Sequence, residues 1–252
     1  VPGVWELNGY DVPVYAGVDF GWKGYEGRTF KKPPHVPTEN NHVGSYRREV
    51  VIPSDWKGKD IIAHFGAVSS NMYLWVNGKF VGYSEDSKME AEFDLTPYLK
   101  PGQKNLIAFQ VFRWCDGSYL EDQDFFRFSG IYRDVYLYTI PEVHVSDLKV
   151  QTLLDDTFTK ADLVIDTKMI GTGKVKITLL KDGTALQSTE GVLDGETQFV
   201  LKVDHPELWS AETPVLYDLL LEVTAEDGTV QELIPQRVGF RRFEMKYHIM
   251  ML

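Results

Sequence analysis

Short alternating segments separated by turn residues run through this chain, and they constrain its fold more than any other feature. In the first 140 residues, segments rich in β-branched and aromatic residues predict strands at 46–52, 72–76, 105–112 and 135–139. Asn77-Gly78 follows the second of these and supplies the positive φ angles of a type I′ turn, which predicts a β-hairpin. No sustained helical stripe alternates with the strands, so the sequence predicts neither a TIM barrel nor a doubly wound sheet within the chain.

A second group of strand-like segments begins near Pro141 and predicts a separate domain. Turn signals at Lys181-Asp182-Gly183 and Glu226-Asp227-Gly228 indicate hairpins within it. The predicted strands are 147–154, 161–170, 174–180, 197–203, 216–224 and 229–234. Short strands at this regular spacing favour a seven-stranded immunoglobulin-like sandwich. A chain of 252 residues is long enough for two domains, and we place their boundary at 139–143.

The charge balance excludes some classes of partner. The chain carries 26 basic and 37 acidic residues, and its formal net charge of −11 repels phosphate backbones and anionic membrane surfaces. We therefore expect neither nucleic acid nor a membrane as a partner, and no apolar run approaches the ~18–20 residues that span a bilayer. The single cysteine, Cys115, rules out an internal disulfide. The chain opens at Val1 without a methionine and looks cut, so the sequence does not fix its compartment.

The densest group of chemically active side chains is the stretch 113–124, RWCDGSYLEDQD, which follows a strongly apolar strand. It carries four carboxylates that repel one another unless something positive compensates, namely Asp116, Glu121, Asp122 and Asp124. The compensating group can be a hard cation, water, or one of the nearby arginines, Arg113, Arg127 and Arg133. A solvated loop clamped by arginines is the plainer interpretation, and an acceptor for sugar hydroxyl groups is the functional one. Two of the carboxylates could also form a glycosidase acid/base pair, but the sequence singles out no proton donor.

The remaining candidates carry weaker signals. Glu85 and Asp86 follow the Asn-Gly hairpin and could bind a cation, although turn chemistry accounts for them as well. The six histidines are scattered without metal-ligand spacing, and neither a nucleophile elbow nor a P-loop is present. Residues 20–45 are rich in glycine and proline and predict a long loop, of a kind that is often functional.

Several motifs in a fixed order resemble one enzyme family. The stretch 113–135, RWCDGSYLEDQDFFRFSGIYRDV, resembles the signature of glycoside hydrolase family 2 β-galactosidases. The supporting motifs, in chain order, are GYDVPVY (9–15), PHVPTEN (34–40), LWVNGKFVGYSEDSKMEAEFDLT (74–96), LWSAETPVLY (208–217) and VGFRR (238–242). The resemblance runs to about residue 245. It implies an all-β chain with an N-terminally truncated, galactose-binding-domain-like jelly-roll sandwich over 1–140 and an immunoglobulin-like β-sandwich over 141–245. Residues 246–252 would be a tail that approaches a catalytic TIM barrel absent from this chain.

The resemblance also implies roles for three carboxylates. In the family, both catalytic glutamates lie in the later barrel, so the chain alone is predicted to be inactive. The position of Asp124 matches a residue that holds galactose through its 6-hydroxyl and ligates a monovalent cation, usually Na⁺. Asp116 and Glu85 match positions associated with a secondary Mg²⁺ site near the first domain. Carboxylate oxygen suits both cations.

The sequence departs from the family pattern at three places. Gly17 stands where the family commonly has an asparagine that contacts the sugar, the loop 20–32 is longer than expected, and the ending YHIMML replaces a Leu-Asn-Gly hairpin. A changed sugar preference is therefore one expectation.

The expected partners are a β-galactoside or related carbohydrate, the downstream barrel of the same polypeptide, and further copies in a homo-oligomer. The resemblance implies a bacterial protein of the cytoplasm or periplasm. Three alternatives stay open: a stand-alone carbohydrate-binding protein, the same region of a β-glucuronidase or β-mannosidase relative, and a purely structural pair of sandwiches. The stretch DGSYLEDQD (116–124) favours a galactosidase over the other glycosidases.

Overall fold

The computed structural model describes residues 1–15, 33–121 and 124–251. Gly17, residues 20–32 of the predicted loop 20–45, and Asp122 lie outside these residues. The described chain is nearly all β, which confirms the predicted fold class. It divides into two compact units, Val1–Ile140 and Pro141–Leu252. No helix among the described residues is long and apolar enough to cross a bilayer.

The described residues of the first unit form twelve short strands and three 3₁₀ helices. Its strands are β1 (Gly3–Val4), β2 (Val14–Tyr15), β3 (Val43–Val51), β4 (Asp60–Phe65), β5 (Val68–Ser69), β6 (Asn71–Val76), β7 (Lys79–Glu85), β8 (Ala91–Asp94), β9 (Lys104–Phe112), β10 (Phe126–Arg127), β11 (Gly130–Ile131) and β12 (Val135–Ile140). Its 3₁₀ helices are Glu6–Asn8, Ser54–Trp56 and Asp116–Tyr119.

Two antiparallel sheets of this unit share one core. The larger sheet has the order β3-β9-β6-β7 and the smaller one β12-β4-β8. Alternation along β6 turns Met72, Leu74 and Val76 inward, where all three are fully buried. Phe65 of β4 and Phe109 of β9 meet edge-on across the core, with ring centroids 5.6 Å apart. This is the sandwich that the sequence predicts.

The Asn-Gly turn forms as predicted. Asn77 and Gly78 have φ angles of 50° and 79°, and they join β6 to β7. The hairpin brings the segment that carries Glu85 to the end of β9, where the acidic stretch begins. Two shorter sheets, β1-β11-β5 and β2-β10, each include one strand, β11 or β10, that follows this stretch in the sequence.

The second unit is built around two unusually long strands. Its strands are β13 (His144–Leu154), β14 (Lys160–Lys181), β15 (Thr184–Asp204), β16 (Tyr217–Ala225), β17 (Val230–Val238), β18 (Glu244–Lys246) and β19 (Ile249–Met251). The first half of β14 pairs with β13 and the second half pairs with β16, while β15 follows β14 along most of its length. One core fills this unit, with inward residues such as Leu163, Ile177 and Leu221 fully buried.

Two sequence predictions for this unit need correction. The segments 161–170 and 174–180 are one continuous strand, because Gly171, at φ 77°, allows the chain to bend between two sheet partners without a break. Residues 184–194 form the first half of β15, which extends the predicted strand 197–203, and the sequence did not predict this half since its serine, threonine and glycine content hides the alternation. The tail 246–252 is also ordered in part. Residues 244–251 form a hairpin, β18-β19, with Tyr247 and His248 at positive φ in its turn.

Candidate functional site

The acidic stretch 113–124 leaves the end of β9 and turns at once into the 3₁₀ helix Asp116–Tyr119. The turn is fixed at its start by Cys115 and Ser118, whose Oγ accepts a hydrogen bond from the Cys115 N–H at 3.1 Å. Cys115 is buried against Ser70, and its Sγ lies 3.3 Å from the Ser70 Oγ. The stretch is therefore a loop anchored in the sandwich rather than a freely solvated one.

Asp124 lies where β2 and β10 meet. Tyr15 of β2 pairs with Phe126 of β10, and the Tyr15 hydroxyl donates a hydrogen bond to Oδ1 of Asp124. That bond and the charge of Asp124 raise the pKa of Tyr15, because both stabilise the protonated phenol. The Tyr15 and Phe126 rings also contact each other, with centroids 5.3 Å apart. The sequence placed Tyr15 in a family motif but gave it no role.

Glu121 holds the loop that follows β7. Its two carboxylate oxygens accept hydrogen bonds from Ser87, one from the N–H at 2.7 Å and one from the hydroxyl at 2.6 Å. The Tyr132 hydroxyl donates to the Ser87 carbonyl, and Arg133 donates to the Lys88 carbonyl at 3.0 Å. The loop after β7 is thus tied to the acidic stretch through Glu121, and to the segment after that stretch through Tyr132 and Arg133.

Asp116 and Glu85, which the sequence analysis names as candidate Mg²⁺ ligands, lie close together. Their ligand oxygens and the Cys115 Sγ are all within 4.8 Å of one another, and Asp124 does not join this group in the described part of the chain. Glu85 accepts a hydrogen bond from the Gly117 N–H at 3.1 Å. A Cβ at position 117 would lie only 2.7 Å from Oε2 of Glu85, so this close approach requires glycine.

The donor set of this group suits a hard cation in part. Two carboxylates offer the oxygen ligands that Mg²⁺ prefers. Burial raises the pKa of the Cys115 thiol, and although hydrogen bonds from Ser70 and Ser118 act in the opposite direction, Glu85 raises it further. Mg²⁺ is bound through oxygen, so the carboxylates of Asp116 and Glu85 are the candidate ligands in this group and the Cys115 thiol is not.

A buried ion pair that the sequence did not predict supports the start of the stretch. Arg113 donates to Oδ2 of Asp11 at 2.6 Å and to the Val12 carbonyl at 3.0 Å, and the two charged side chains are only 4% and 5% exposed. His42 Nδ1 lies 2.7 Å from the same oxygen of Asp11. Burial acts to raise the pKa of Asp11, but the hydrogen bonds from His42 and the Val12 N–H, and the charge of Arg113, lower it overall. Asp11 thus stays ionised in place.

The described contacts of the three nearby arginines specify which groups they hold. Arg113 pairs with Asp11, Arg133 with the Lys88 carbonyl, and Arg127 donates to the Glu121 carbonyl. In these contacts the arginines hold the backbone and a distant aspartate. A signal that could have found Asp11 is its place in GYDVPVY, four residues before the tyrosine that contacts Asp124.

A cavity of about 530 Å³ lies beneath the stretch. Its wall combines cations with aromatic rings. Lys88 lies 5.0 Å from the Phe125 ring centroid and 5.2 Å from that of Tyr132, and Arg127 lies 4.5 Å from that of Phe125. Asp124 does not line this cavity among the described residues.

Matches to family models fall on the same two units. Residues 1–141 match the model described as the sugar binding domain of glycosyl hydrolases family 2, and residues 143–241 match the model described as glycosyl hydrolases family 2. The chain therefore consists of two β-sandwich domains of the kinds that these models describe. It belongs to glycosyl hydrolases family 2, which confirms the resemblance drawn from its motifs.

Relatives at higher identity are β-galactosidases of bacteria. The chain is 42% identical to a β-galactosidase of Clostridium acetobutylicum over 256 residues, covering 100% of this chain and 28% of that protein. It is 40% identical to one of Halalkalibacterium halodurans over 261 residues, covering 100% of this chain and 25% of that protein. The chain thus spans about a quarter of these relatives and matches their N-terminal part.

Solved structures show the same architecture. A β-glucuronidase of Bacteroides uniformis superposes with a TM-score of 0.71 at 27% identity, covering 81% of this chain and 27% of that one. A family 2 member from Bacteroides cellulosilyticus superposes with a TM-score of 0.72 at 24% identity, with the same coverage, and supports the fold alone.

Proposed function

We propose that this chain is the non-catalytic N-terminal region of a retaining β-galactosidase. In the full enzyme, one glutamate would protonate the leaving oxygen and another would form the glycosyl-enzyme, both outside this chain. The observation that carries the proposal is 40–42% identity to β-galactosidases along the entire chain. The β-glucuronidase of Bacteroides uniformis is 27% identical, which favours the galactosidase over the glucuronidase alternative.

Asp124 is the residue proposed to act on the substrate. A carboxylate has about four lone-pair sites, and the Tyr15 hydroxyl occupies one of them. The remaining sites can accept the 6-hydroxyl of galactose and bind a monovalent cation such as Na⁺. Tyr15 would keep the carboxylate in a fixed orientation before the sugar arrives, which favours binding because less freedom is lost on complex formation.

Asp116 and Glu85 are proposed to hold Mg²⁺. Mg²⁺ requires near-octahedral oxygen ligands at about 2.0–2.1 Å and usually keeps several waters, so two carboxylates can anchor it while water completes the shell. The ion would neutralise two like charges at the base of the acidic stretch and would stiffen the 3₁₀ helix there. The proposed homo-oligomer and the cytoplasmic or periplasmic location rest on the family resemblance.

Complementation tests the proposal. The chain is mixed with the Clostridium acetobutylicum β-galactosidase from which the matching region has been removed, and hydrolysis of a chromogenic β-galactoside is followed. We expect no hydrolysis by either piece alone and hydrolysis by the mixture. Asp124→Ala should abolish most of it, whereas Asp60→Ala, an exposed carboxylate on β4, should leave it unchanged.

Three outcomes would contradict the proposal. Hydrolysis by the chain alone would place catalytic residues within it. A mixture that assembles but cleaves a β-glucuronide in preference to a β-galactoside would favour the glucuronidase alternative. If the two pieces fail to associate, a chimeric enzyme that carries this chain in place of the matching region is assayed instead. The third contradicting outcome is a chimera that folds but is inactive.

A further inference from the structure

An aromatic cluster lies on the outward face of the sheet β3-β9-β6-β7. Since even-numbered residues of β6 fill the core, Tyr73 and Trp75 point to the opposite face, where each is half-buried. Five rings from three strands meet there with Tyr73 at the centre. The distances from the Tyr73 ring centroid to the other four centroids are 6.2 Å for Trp75, 6.4 Å for Phe80, 4.6 Å for Tyr83 and 5.7 Å for Phe112.

The neighbouring column of the same face is polar. Strand register places Gln110 of β9 directly beside Tyr73, and Ser45 of β3 beside Gln110. In the next row, Ala108 separates Trp75 from Arg47. Ser45, Arg47 and Gln110 are all exposed. On this face, the aromatic rings of β6 and β7 therefore lie beside the amide of Gln110, the hydroxyl of Ser45 and the guanidinium of Arg47. The small Ala108 lies between the rings and the guanidinium.

The core does not account for these rings. The inward residues of β6 and β9 already close the sandwich, and cross-strand pairing on the outer face explains contacts such as Tyr73 with Tyr83. Phe80 nevertheless remains 52% exposed beside Trp75, with ring centroids 5.7 Å apart. A contiguous exposed aromatic patch rimmed by polar groups on a rigid sheet marks a binding surface.

The chemistry of the face selects the ligand. A pyranose has one apolar C–H face and a rim of hydroxyl groups, so it needs an aromatic ring beside donors and acceptors. Among the residues just named on this face, Arg47 carries the positive charge. The net charge of the chain is −11, which disfavours a polyanionic ligand and favours a neutral one. The unit also matches the family's sugar binding domain.

We propose that this face is a second saccharide site that does not involve Asp124, Asp116 or Glu85. A pyranose of a neutral β-linked oligosaccharide stacks on Trp75 and Phe80, and its hydroxyl groups contact Gln110 and Arg47 across Ala108. This inference does not depend on the proposed galactosidase function, because none of its residues belongs to the acidic stretch.

Titration calorimetry of the 252-residue chain tests the site with lactose, β-1,4-galactotetraose and cellotetraose. We expect at least one tetrasaccharide to bind with a Kd on the order of millimolar. Trp75→Ala should weaken binding at least about tenfold, since it removes the stacking ring. Phe80→Ala and Gln110→Ala should weaken it by smaller factors while leaving the centre of the sheet intact.

Two variants serve as controls. Tyr136→Ala removes an exposed ring from the smaller sheet, β12-β4-β8, and should leave the affinity unchanged. Asp60→Ala removes an exposed carboxylate from the same smaller sheet and should also leave the affinity unchanged. Circular dichroism and thermal melting check that each variant folds, and if Trp75→Ala does not fold, Phe80→Ala and Gln110→Ala decide the test.

Three results would overturn the inference. The first is no binding by any of the three saccharides at tens of millimolar. The second is binding that Asp124→Ala abolishes while Trp75→Ala and Phe80→Ala retain it. The third is a chain that self-associates through this face, so that Phe80→Ala produces a monomer, and that binds none of the saccharides.

Discussion

The two sandwiches bury similar sets of apolar side chains but very different sets of polar ones. Among the described residues of the second sandwich, Thr167 is the buried polar or charged side chain. The buried polar or charged residues of the first sandwich are Glu6, Ser70, Asn71, Ser87, Asn105, Arg113, Ser118 and Ser129. Burying such groups is unfavourable unless each is hydrogen-bonded, so their concentration in one domain requires a reason.

For four of these eight residues, the reason is the acidic stretch. Ser70, Ser87, Arg113 and Ser118 each bond to that stretch or lie within it. The second sandwich gains its order from long strands and an apolar core, and the hydrogen bonds in its loop at Asp155 are made by exposed groups. The comparison shows that buried polar groups in the first sandwich fix the position of a loop. The second sandwich is stabilised mainly by its apolar core.

Arg113→Met gives the largest expected effect on this comparison. It leaves the Asp11 carboxylate buried without its charged partner, and we expect a loss of about 3–5 kcal/mol in the free energy of unfolding. The matched change in the second sandwich is Arg237→Met, whose ion pair with Asp218 is long, 3.8 Å, and exposed. We expect at most about 1 kcal/mol there. Urea denaturation measures both, and equal losses would remove the contrast between the domains.

Asn105→Ala should give the next largest effect. The buried Asn105 side chain accepts from Asn77 Nδ2 and the Lys100 N–H, each at 2.8 Å, and donates to the Lys100 and Gln103 carbonyls, each at 3.0 Å. Its loss leaves several buried groups unpaired, so we expect about 2–3 kcal/mol.

The control for Asn105 is Thr167→Val. Thr167 donates one hydrogen bond, to the Thr197 carbonyl at 3.0 Å, and we expect about 1 kcal/mol. Thermal melting of both variants measures the difference. A loss at Thr167 as large as that at Asn105 would show that the second sandwich depends on buried polar groups as much as the first.

Sequence patterns predicted most of the fold because its strands alternate strongly. The hairpin at Asn77-Gly78 follows from local backbone preferences, and the fully buried positions of β6 follow from a period of two. Residues 184–194 were missed because this strand pairs with β14 alone, so most of its side chains are exposed and carry no apolar pattern.

The sequence predicted which residue types form the candidate site, but not the long-range contacts that hold them. The density of carboxylates and the family motif indicated Asp124, Asp116 and Glu85, and the structure brings the last two together. The ion pair between Asp11 and Arg113 joins residues 102 positions apart, and no local pattern encodes such a contact. Tyr15 was missed for the same reason, because its contact with Asp124 depends on the pairing of β2 with β10.

Glu121→Gln tests whether charge, rather than hydrogen bonding alone, holds the loop at Ser87. A glutamine keeps one acceptor oxygen but loses the charge-assisted bond, so we expect about 1 kcal/mol of lost stability and faster amide exchange at Ser87. In the second sandwich, Glu232 accepts a single bond from the Val145 N–H at 3.0 Å, and Glu232→Gln should cost less. Unchanged exchange at Ser87 would mean that the Tyr132 contact is sufficient.

The smallest effect concerns pH, and the two sandwiches should respond in opposite directions. In the first, Asp124 raises the pKa of Tyr15 above its ordinary value of 10.0, so their contact stabilises the fold below that value and is lost as the pH rises through the folded pKa. In the second, hydrogen bonds from the Thr157 hydroxyl and the Lys160 N–H lower the pKa of Asp155 below its ordinary 3.8. That contact is therefore present above 3.8 and is lost as the pH falls through the folded value. Comparing the alkaline ultraviolet titration of the chain with that of Tyr15→Phe isolates the Tyr15 phenol, and Asp124→Asn should return its pKa towards the ordinary value. A Tyr15 titration that Asp124→Asn leaves unchanged would show that the two side chains do not interact in solution, and would remove the basis for Tyr15 as the group that orients Asp124.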